Sequence, residues 1–352
     1  MRNISELKQL QALPLNIKVA MTKQRIRDWV YKFGEDGVYV SFSGGKDSTV
    51  LLNIVRSMYP SVEAVFVNTG LEYPEIQAFV KSFENVTILR PKMRFDEVIR
   101  KYGYPVISKE VAECVRNARV SLKKRKYFHS RLQRLKGELK NKDGGESKYN
   151  HKKYEPLLTT DFICSADCCR IMKKMPVHNF NRKTGKKPIT AQMAAESKLR
   201  EQQWIRNGCN GFNMKSPISN PMAFWTEQDV LQYIKENDLQ IAPVYGQVVY
   251  ENAEQIGIEE ITGENYGRLL CTTGCKRTGC IFCAFGAHLE KDEDRRFLRL
   301  KKTHPKQYAY CISAGEYDSD GIWKPSKEGL GMGHVFEELN KIYGEEFIKY
   351  KE

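Results

Sequence analysis

The chain has 352 residues, of which 41% are hydrophobic and 28% charged, and a formal net charge of +14, so there is ample length for a large core with appended segments. It holds no apolar run of about 18 residues, and Met1-Arg2-Asn3-Ile4-Ser5-Glu6 lacks the apolar stretch of an export signal. Both features argue against membrane-spanning and secreted classes and predict a soluble, cytoplasmic protein with no membrane partner, in which ten cysteines point to a metal or redox site rather than to disulfides.

In chain order, apolar residues at helical spacing (Val19, Ala20, Ile26, Trp29, Val30) predict a helix over 17–33. Val38-Tyr39-Val40 reads as a first strand, followed by a glycine turn and a helix start at Thr49-Val50-Leu51-Leu52. A second strand, Ala64-Val65-Phe66-Val67, ends at Asn68-Thr69-Gly70, and Pro74-Glu75-Ile76 opens the next helix. Val86-Thr87-Ile88-Leu89 is a third strand, and the alternation resumes near Pro188-Ile189-Thr190-Ala191. An amphipathic helix is expected over Glu227–Glu236, with Thr226 as its N-cap. Strands alternating with helices predict an α/β fold with a parallel twisted sheet flanked by helices and ligands at the carboxyl ends of the strands. That places Ser43–Ser48 and Asn68–Gly70 on one rim.

The stretch Ser41-Phe42-Ser43-Gly44-Gly45-Lys46-Asp47-Ser48 sits between the first strand and a helix. Adjacent glycines let several backbone N–H groups converge on one anion, and the helix adds its positive N-terminal end. This is a phosphate cradle, and it lacks the Walker spacing. Ser-Gly-Gly-Lys-Asp-Ser resembles the PP-loop of the ATP pyrophosphatase superfamily, whose members cleave ATP between the α and β phosphates and attach AMP to an acceptor. The domain reading is an N-terminal helical segment (1–37), a nucleotide-binding α/β domain (38–110 and 155–240), a basic helical insertion (111–154) and a cysteine-rich C-terminal region (241–352).

Most of the charge excess sits in Arg116–Lys153, which holds fourteen Lys or Arg against three acidic residues. With Tyr127, Phe128 and His129 interleaved, such a segment can neutralise phosphates and stack bases, so nucleic acid is a candidate partner; a solvated helical hairpin is the other reading. The cysteines pair as Cys168-Cys169 and as Cys280-Ile281-Phe282-Cys283, with Cys271 and Cys275 just upstream. Cys168, Cys169, Cys280 and Cys283 would suit a 4Fe-4S cluster, since neighbouring thiolates can reach different irons. Cys271, Cys275, Cys280 and Cys283 would suit Zn2+. Cys114, Cys209 and Cys311 stand alone and read as buried side chains.

Over Val38–Gly286 the chain resembles the phosphoadenosine phosphosulfate reductase family. The matching stretches are the Ser41–Ser48 loop, Asn68-Thr69-Gly70-Leu71-Glu72-Tyr73-Pro74-Glu75, Met193-Ala194-Ala195-Glu196-Ser197-Lys198-Leu199-Arg200 and Asn220-Pro221-Met222-Ala223-Phe224-Trp225-Thr226, together with the two cysteine pairs. The resemblance implies nucleotide contacts from Ser41, Ser43, Gly44, Gly45, Lys46, Asp47, Ser48, Asn68, Thr69, Gly70, Lys198 and Arg200, although Met193 stands where the family often has Arg. In the iron–sulfur branch the Cys-Cys pair and the later Cys-x-x-Cys hold the cluster.

Sulfonucleotide reductases carry a Glu-Cys-Gly-x-His motif that is not found after Cys311, and they often lose the Lys-Asp that this loop keeps. The reading is therefore an ATP-dependent adenylating enzyme that prepares an acceptor, nucleic acid being one candidate, for sulfur insertion from a sulfur donor protein, in the manner of the proteins of DNA phosphorothioation. Lys46, Asp47 and Ser48 are its expected catalytic residues, with Lys46 balancing charge on departing pyrophosphate and Asp47 holding Mg2+. Two alternatives stand beside it. One is a reductase using Cys271, Cys275 or Cys311 to release sulfite; the other is a nucleotide-dependent subunit that binds DNA or a partner without turnover.

Overall fold

The computed structural model describes residues 2–124, 129–251, 269–291 and 295–351, so Arg125-Lys126-Tyr127-Phe128 of the basic segment and residues 252–268 of the C-terminal region lie outside the described residues. In chain order the helices are α1 (Ile4–Gln11), α2 (Leu15–Phe33), α3 (Lys46–Arg56), α4 (Pro74–Lys81), α5 (Phe95–Tyr102), α6 (Lys109–Lys124), α7 (His129–Lys136), α8 (Asp167–Cys169), α9 (Met175–Thr184), α10 (Lys198–Asn207) and α11 (Glu227–Glu236). The strands are β1 (Val38–Ser41), β2 (Ala64–Val67), β3 (Val86–Leu89), β4 (Val106–Ile107), β5 (Lys187–Ile189), β6 (Asn210–Gly211), β7 (Ile218–Ser219), β8 (Val248–Tyr250), β9 (Leu270–Thr272) and β10 (Ala284–Phe285). Three further helices follow, Arg296–Thr303, Pro305–Ile312 and Met332–Tyr343. No helix among the described residues is long and apolar enough to cross a membrane.

The chain folds into two compact units. The first comprises Met1–Asn68, Glu72–Arg90 and Pro176–Gly279; the second comprises Thr69–Leu71, Pro91–Met175 and Cys280–Glu352. The first unit is built on a six-stranded sheet of order β3-β2-β1-β5-β7-β6, parallel throughout except for the β6–β7 pair. β1 has β2 on one side and β5 on the other, so strand order reverses there. The loop that leaves β1 therefore opens at the switch point of the sheet, where α/β folds bind ligands. Asn68 ends the neighbouring parallel strand at the same edge, its N–H bonding Leu89 O at 2.9 Å.

β1 and β2, at the centre of the sheet, are short, apolar and buried up to their last residues, as expected where both faces are covered. α2 buries Thr22, Ile26, Trp29 and Val30, one stripe at helical period, and α3 buries Val50, Leu51, Ile54 and Val55. Trp225 is fully buried and donates from Nε1 to Thr22 Oγ1 at 2.9 Å, which ties the Asn220–Thr226 turn to α2. α11 begins where the sequence places it, with Thr226 accepting from Asp229 N and Asp229 reaching back to Thr226 N. β8 and β9 form an antiparallel ribbon.

In the second unit β4 pairs in parallel with β10. α6 packs along α7 and on the short helical turn Lys152–Leu158. Three arginines of the basic segment hold this unit together from within. Arg119 donates to the carbonyls of Leu158, Thr160 and Phe162; Arg134 is buried and engages Glu110, His151 and Tyr149 O; Arg116 pairs with Asp167.

Candidate functional site

The loop after β1 is a closed turn held by its own hydroxyls. Ser43 N donates to Ser48 Oγ at 3.1 Å, Ser43 Oγ and Ser48 Oγ lie 3.0 Å apart, and Ser48 Oγ and Thr49 Oγ1 donate back to Gly45 O at 2.9 and 3.0 Å. Gly44 sits at φ +71°, and a Cβ there would come within 2.7 Å of the Val80 side chain and 2.8 Å of Ile76, so α4 presses on the loop too closely for any other residue. Gly45 is the N-cap of α3 and gives the first turn no side-chain cap. The turn's first N–H groups are met by hydroxyls instead, Gly45 N by Ser43 Oγ at 3.3 Å and Lys46 N by the Tyr245 hydroxyl, which an anion can replace.

The Lys46 N–H points to the hydroxyl of Tyr245 at 3.2 Å, and that hydroxyl lies 2.6 Å from Thr278 Oγ1. Tyr245 is 2% exposed, and burial pushes its hydroxyl above the ordinary phenol value against the bonds to Thr278 and the Lys46 amide. The Lys46 ammonium is also buried; it stands 3.0 Å from Glu227, 3.4 Å from Asp47 Oδ1 and 3.3 Å from Lys276 O. Burial opposes its charge, but Asp47 and Glu227 outweigh burial and raise its value. Asp47 Oδ1 is itself buried with no hydrogen-bond donor. An acidic oxygen of this kind beside a phosphate cradle has the donor chemistry that Mg2+ takes. Arg200, ion-paired with Glu196 one turn earlier, is pushed below its ordinary value by burial and by the neighbouring Arg277, while Asp47 acts the other way.

The other expected contacts are placed as follows. Ser41 closes β1, half-buried. Lys198 is exposed at the first position of α10, behind the N-cap Ser197, and Met193 is buried beneath the preceding turn. Thr69 and Gly70 belong to the second unit, where Thr69 Oγ1 accepts from Leu71 N at 3.2 Å. Tyr245, Thr278, Glu227 and Arg277 were not singled out from the sequence. They lie about two hundred residues from the loop, in stretches with no motif spacing, and only Glu227, in the first turn of a predicted helix, had any local signal.

In the second unit Cys168 and Cys169 end the short helix α8, and a single π-helical turn, Arg170–Lys174, follows. Such turns often mark functional sites. The bond from Cys168 pulls the Cys169 thiol down to about 5, against burial and with help from Lys109 and Lys173; the same bond pushes Cys168 up. Cys280 and Cys283 act on Cys168 electrostatically, and Cys169 acts on Cys283, so the four thiols converge on one region of this unit. Among the described residues no three His, Cys, Asp or Glu side chains are drawn close enough together to hold an ion. The donor chemistry, four thiols within one unit, is nonetheless that of a 4Fe-4S cluster. Cys271, on β9, and Cys275 belong to the first unit, so the zinc set is divided between the two units. Cys114, Cys209 and Cys311 are buried as expected.

A parallel sheet with a phosphate cradle at its switch point defines a nucleotide-binding α/β protein. The chain belongs to the phosphoadenosine phosphosulfate reductase family, whose domain profile matches residues 37–136 and 106–285. It is 32% identical over 313 residues to the protein MJ0973 of Methanocaldococcus jannaschii, covering 87% of this chain and 54% of that one, so the chain spans about half the length of that relative. It is 24% identical over 237 residues to the adenosine 5'-phosphosulfate reductase of Staphylococcus epidermidis, covering 66% of this chain and 73% of that enzyme. The crystal structure of the phosphoadenylyl-sulfate reductase of Candida auris, a phosphate complex, aligns with a TM-score of 0.37 and 14% identity over 69% of this chain and 91% of that one. The family is one of enzymes that bind adenosine nucleotides.

Proposed function

We propose that the protein is an ATP pyrophosphatase of the PP-loop type that adenylates an acceptor for sulfur insertion. The observation that carries this reading is the intact Lys46-Asp47 pair at the start of α3, with Asp47 Oδ1 buried and outside any hydrogen bond beside a helix start whose first N–H is held by the Tyr245 hydroxyl alone. A substrate that arrives already activated needs no metal-assisted departure of pyrophosphate, whereas ATP does. An acceptor oxygen attacks the α-phosphorus, the bond to the bridging oxygen of the β-phosphate breaks, and pyrophosphate leaves with the electron pair. Gly44, Gly45 and the first turn of α3 would hold the departing phosphates through backbone N–H groups, with Ser43 and Ser48 adding hydroxyls. Lys46 would offset the charge that grows on the leaving group, Asp47 would hold Mg2+, and Arg200, with Lys198 nearby on α10, would bind phosphate oxygens from the far side. A sulfur nucleophile then displaces AMP from the acceptor.

Cys168, Cys169, Cys280 and Cys283 would hold a 4Fe-4S cluster. When bound, such a cluster supplies redox chemistry or a carrier for sulfur. Cys168→Ser or Cys283→Ser should then lower bound iron in anaerobically reconstituted protein to near background while ATP binding persists; full iron content in both variants would remove the cluster from the reading.

The second reading, sulfonucleotide reduction, is favoured by the name of the Staphylococcus epidermidis relative. It needs a nucleophilic thiol outside the cluster. Cys311 is fully buried, contacts the Met332 sulfur at 3.5 Å and is pushed well above the ordinary thiol value, so it does not meet that need; Cys275 is buried as well, and Cys271, half-buried on β9, is the remaining candidate. Pyrophosphate release from ATP, with and without nucleic acid, and sulfite release from sulfonucleotides separate the two. Pyrophosphate without sulfite is the expected result. Sulfite without pyrophosphate, abolished by Cys271→Ser, would replace adenylation by reduction.

A further inference from the structure

At the other end of the sheet from the phosphate loop lies a concave site built largely from cations. The turn from α9 into β5 carries Arg182, Lys183, Lys186 and Lys187 within six residues, and the loop between β6 and β7 adds Lys215 from a separate part of the chain. Arg182, Lys186, Lys187, Lys215 and His178 line a cavity of about 350 Å³, and none of its lining residues is acidic. Lys187 pairs in register with Val38 at the start of β1, whereas the phosphate loop leaves β1 after Ser41, so the two sites occupy opposite edges of the same strands. A ligand in one does not obstruct the other.

The cations here are used differently from those of the Arg116–Lys153 segment. There, Arg116, Arg119 and Arg134 are spent on carboxylates and carbonyls inside the second unit. Here, Lys186 is held by Glu63 at 2.6 Å, but among the described residues Arg182, Lys187 and Lys215 have no carboxylate partner. Like charges brought to one cavity without counter-charge repel one another, a cost that an anionic ligand relieves. Apart from the His178 imidazole the remaining lining groups are amides, a hydroxyl and two prolines, with no Phe, Tyr or Trp ring on which a base could stack. Such a surface reads phosphate and charge and ignores the base, which fits a phosphodiester chain better than a free nucleotide.

We infer that this cavity docks the phosphate backbone of a nucleic acid without reading its sequence. The inference goes beyond the adenylation reading and stands without it, since binding requires no turnover. The test is fluorescence anisotropy of the full chain with a labelled single strand of mixed sequence, at salt concentrations from about 50 to 200 mM. Three phosphate contacts contribute a slope of roughly 2 in log affinity against log salt. Arg182→Gln/Lys187→Gln/Lys215→Gln should remove that slope and weaken binding about tenfold or more at the lower salt. Lys215→Gln alone, on an exposed loop, should remove about a third of the slope, which keeps the test decisive if the triple variant unfolds. Lys140→Gln/Lys142→Gln/Lys148→Gln, in the basic segment, should leave both quantities unchanged. The inference is overturned if the wild-type chain does not bind at low salt, if only the basic-segment variant loses affinity, or if inorganic phosphate at matched ionic strength displaces the strand, which would make this a small-anion site.

Discussion

Helix α11 offers two acidic residues, Glu227 and Asp229, to two buried lysines, and the two pairs are unlike. The Lys18 ammonium lies 2.7 Å from both carboxylate oxygens of Asp229 and 2.6 Å from Gln11 O, so its three donors have three acceptors. Both residues are buried, and Asp229 also caps its own helix. The Lys46 ammonium makes longer contacts to Glu227, Asp47 and Lys276 O, and the Glu227 side chain is 43% exposed. A saturated pair can only lose by changing partners, so Lys18 is a bolt between α2 and α11. An ammonium with loose partners, at a helix start held by a hydroxyl alone, can exchange a carboxylate for a phosphate at little cost. Burial alone does not distinguish a structural lysine from a functional one; how closely its donors are held does.

The sharpest test of that contrast is Asp229→Ala, which leaves Lys18 charged and buried. It should destabilise the protein by about 3–5 kcal/mol in urea unfolding while the folded fraction binds ATP normally. A smaller loss would mean that Lys18 finds water and the bolt is not one. Lys46→Ala should do the reverse, lowering pyrophosphate release about a hundredfold or more with an unfolding midpoint near wild type. Unchanged turnover would remove Lys46 from the chemistry. Glu227→Gln frees Lys46 from a competitor for phosphate and should tighten ATP binding by about fivefold, near 1 kcal/mol, in a calorimetric titration; weaker binding would show that Glu227 positions Lys46 and does not restrain it.

The smallest effect belongs to a third pair, Lys186 and Glu63. Burial raises the Glu63 carboxyl, but the bonds from Lys186 and Thr87 outweigh it and hold it below its ordinary value of 4.5. A depressed acid contributes stability that is present above 4.5 and lost as pH falls through the folded value. Glu63→Gln should therefore lower stability at neutrality, by less than about 1 kcal/mol, and flatten the acid limb of the stability curve below that pH, where wild type and variant converge. An unaltered acid limb would show that the pair is solvent-screened.

The same contrast explains what could be read from the residues in order. β2 and β3 fall where alternation and branching place them, and α11 runs from Glu227 to Glu236 behind its Thr226 cap, because these signals are local. The Ser41–Ser48 loop was legible for the same reason: a strand, two glycines and a helix start are neighbours in the chain. Tyr245 and Thr278 were not, since a hydroxyl becomes part of a cradle only through a fold that joins it to Lys46 across about two hundred residues. The charge count of Arg116–Lys153 was legible, but charge in a sequence does not say which cations are spent indoors. Arg119, facing three carbonyls, reads the same as a solvated arginine until the chain is folded.

The Tyr245 hydroxyl has a practical consequence. It takes up the Lys46 amide that a bound phosphate would use, so any anion settling into the cradle must evict it from a dry pocket and break its link to Thr278. The protein thus carries its own indicator: ultraviolet difference absorbance of a single phenol should follow occupancy of the loop without a label, and the signal should vanish in Tyr245→Phe.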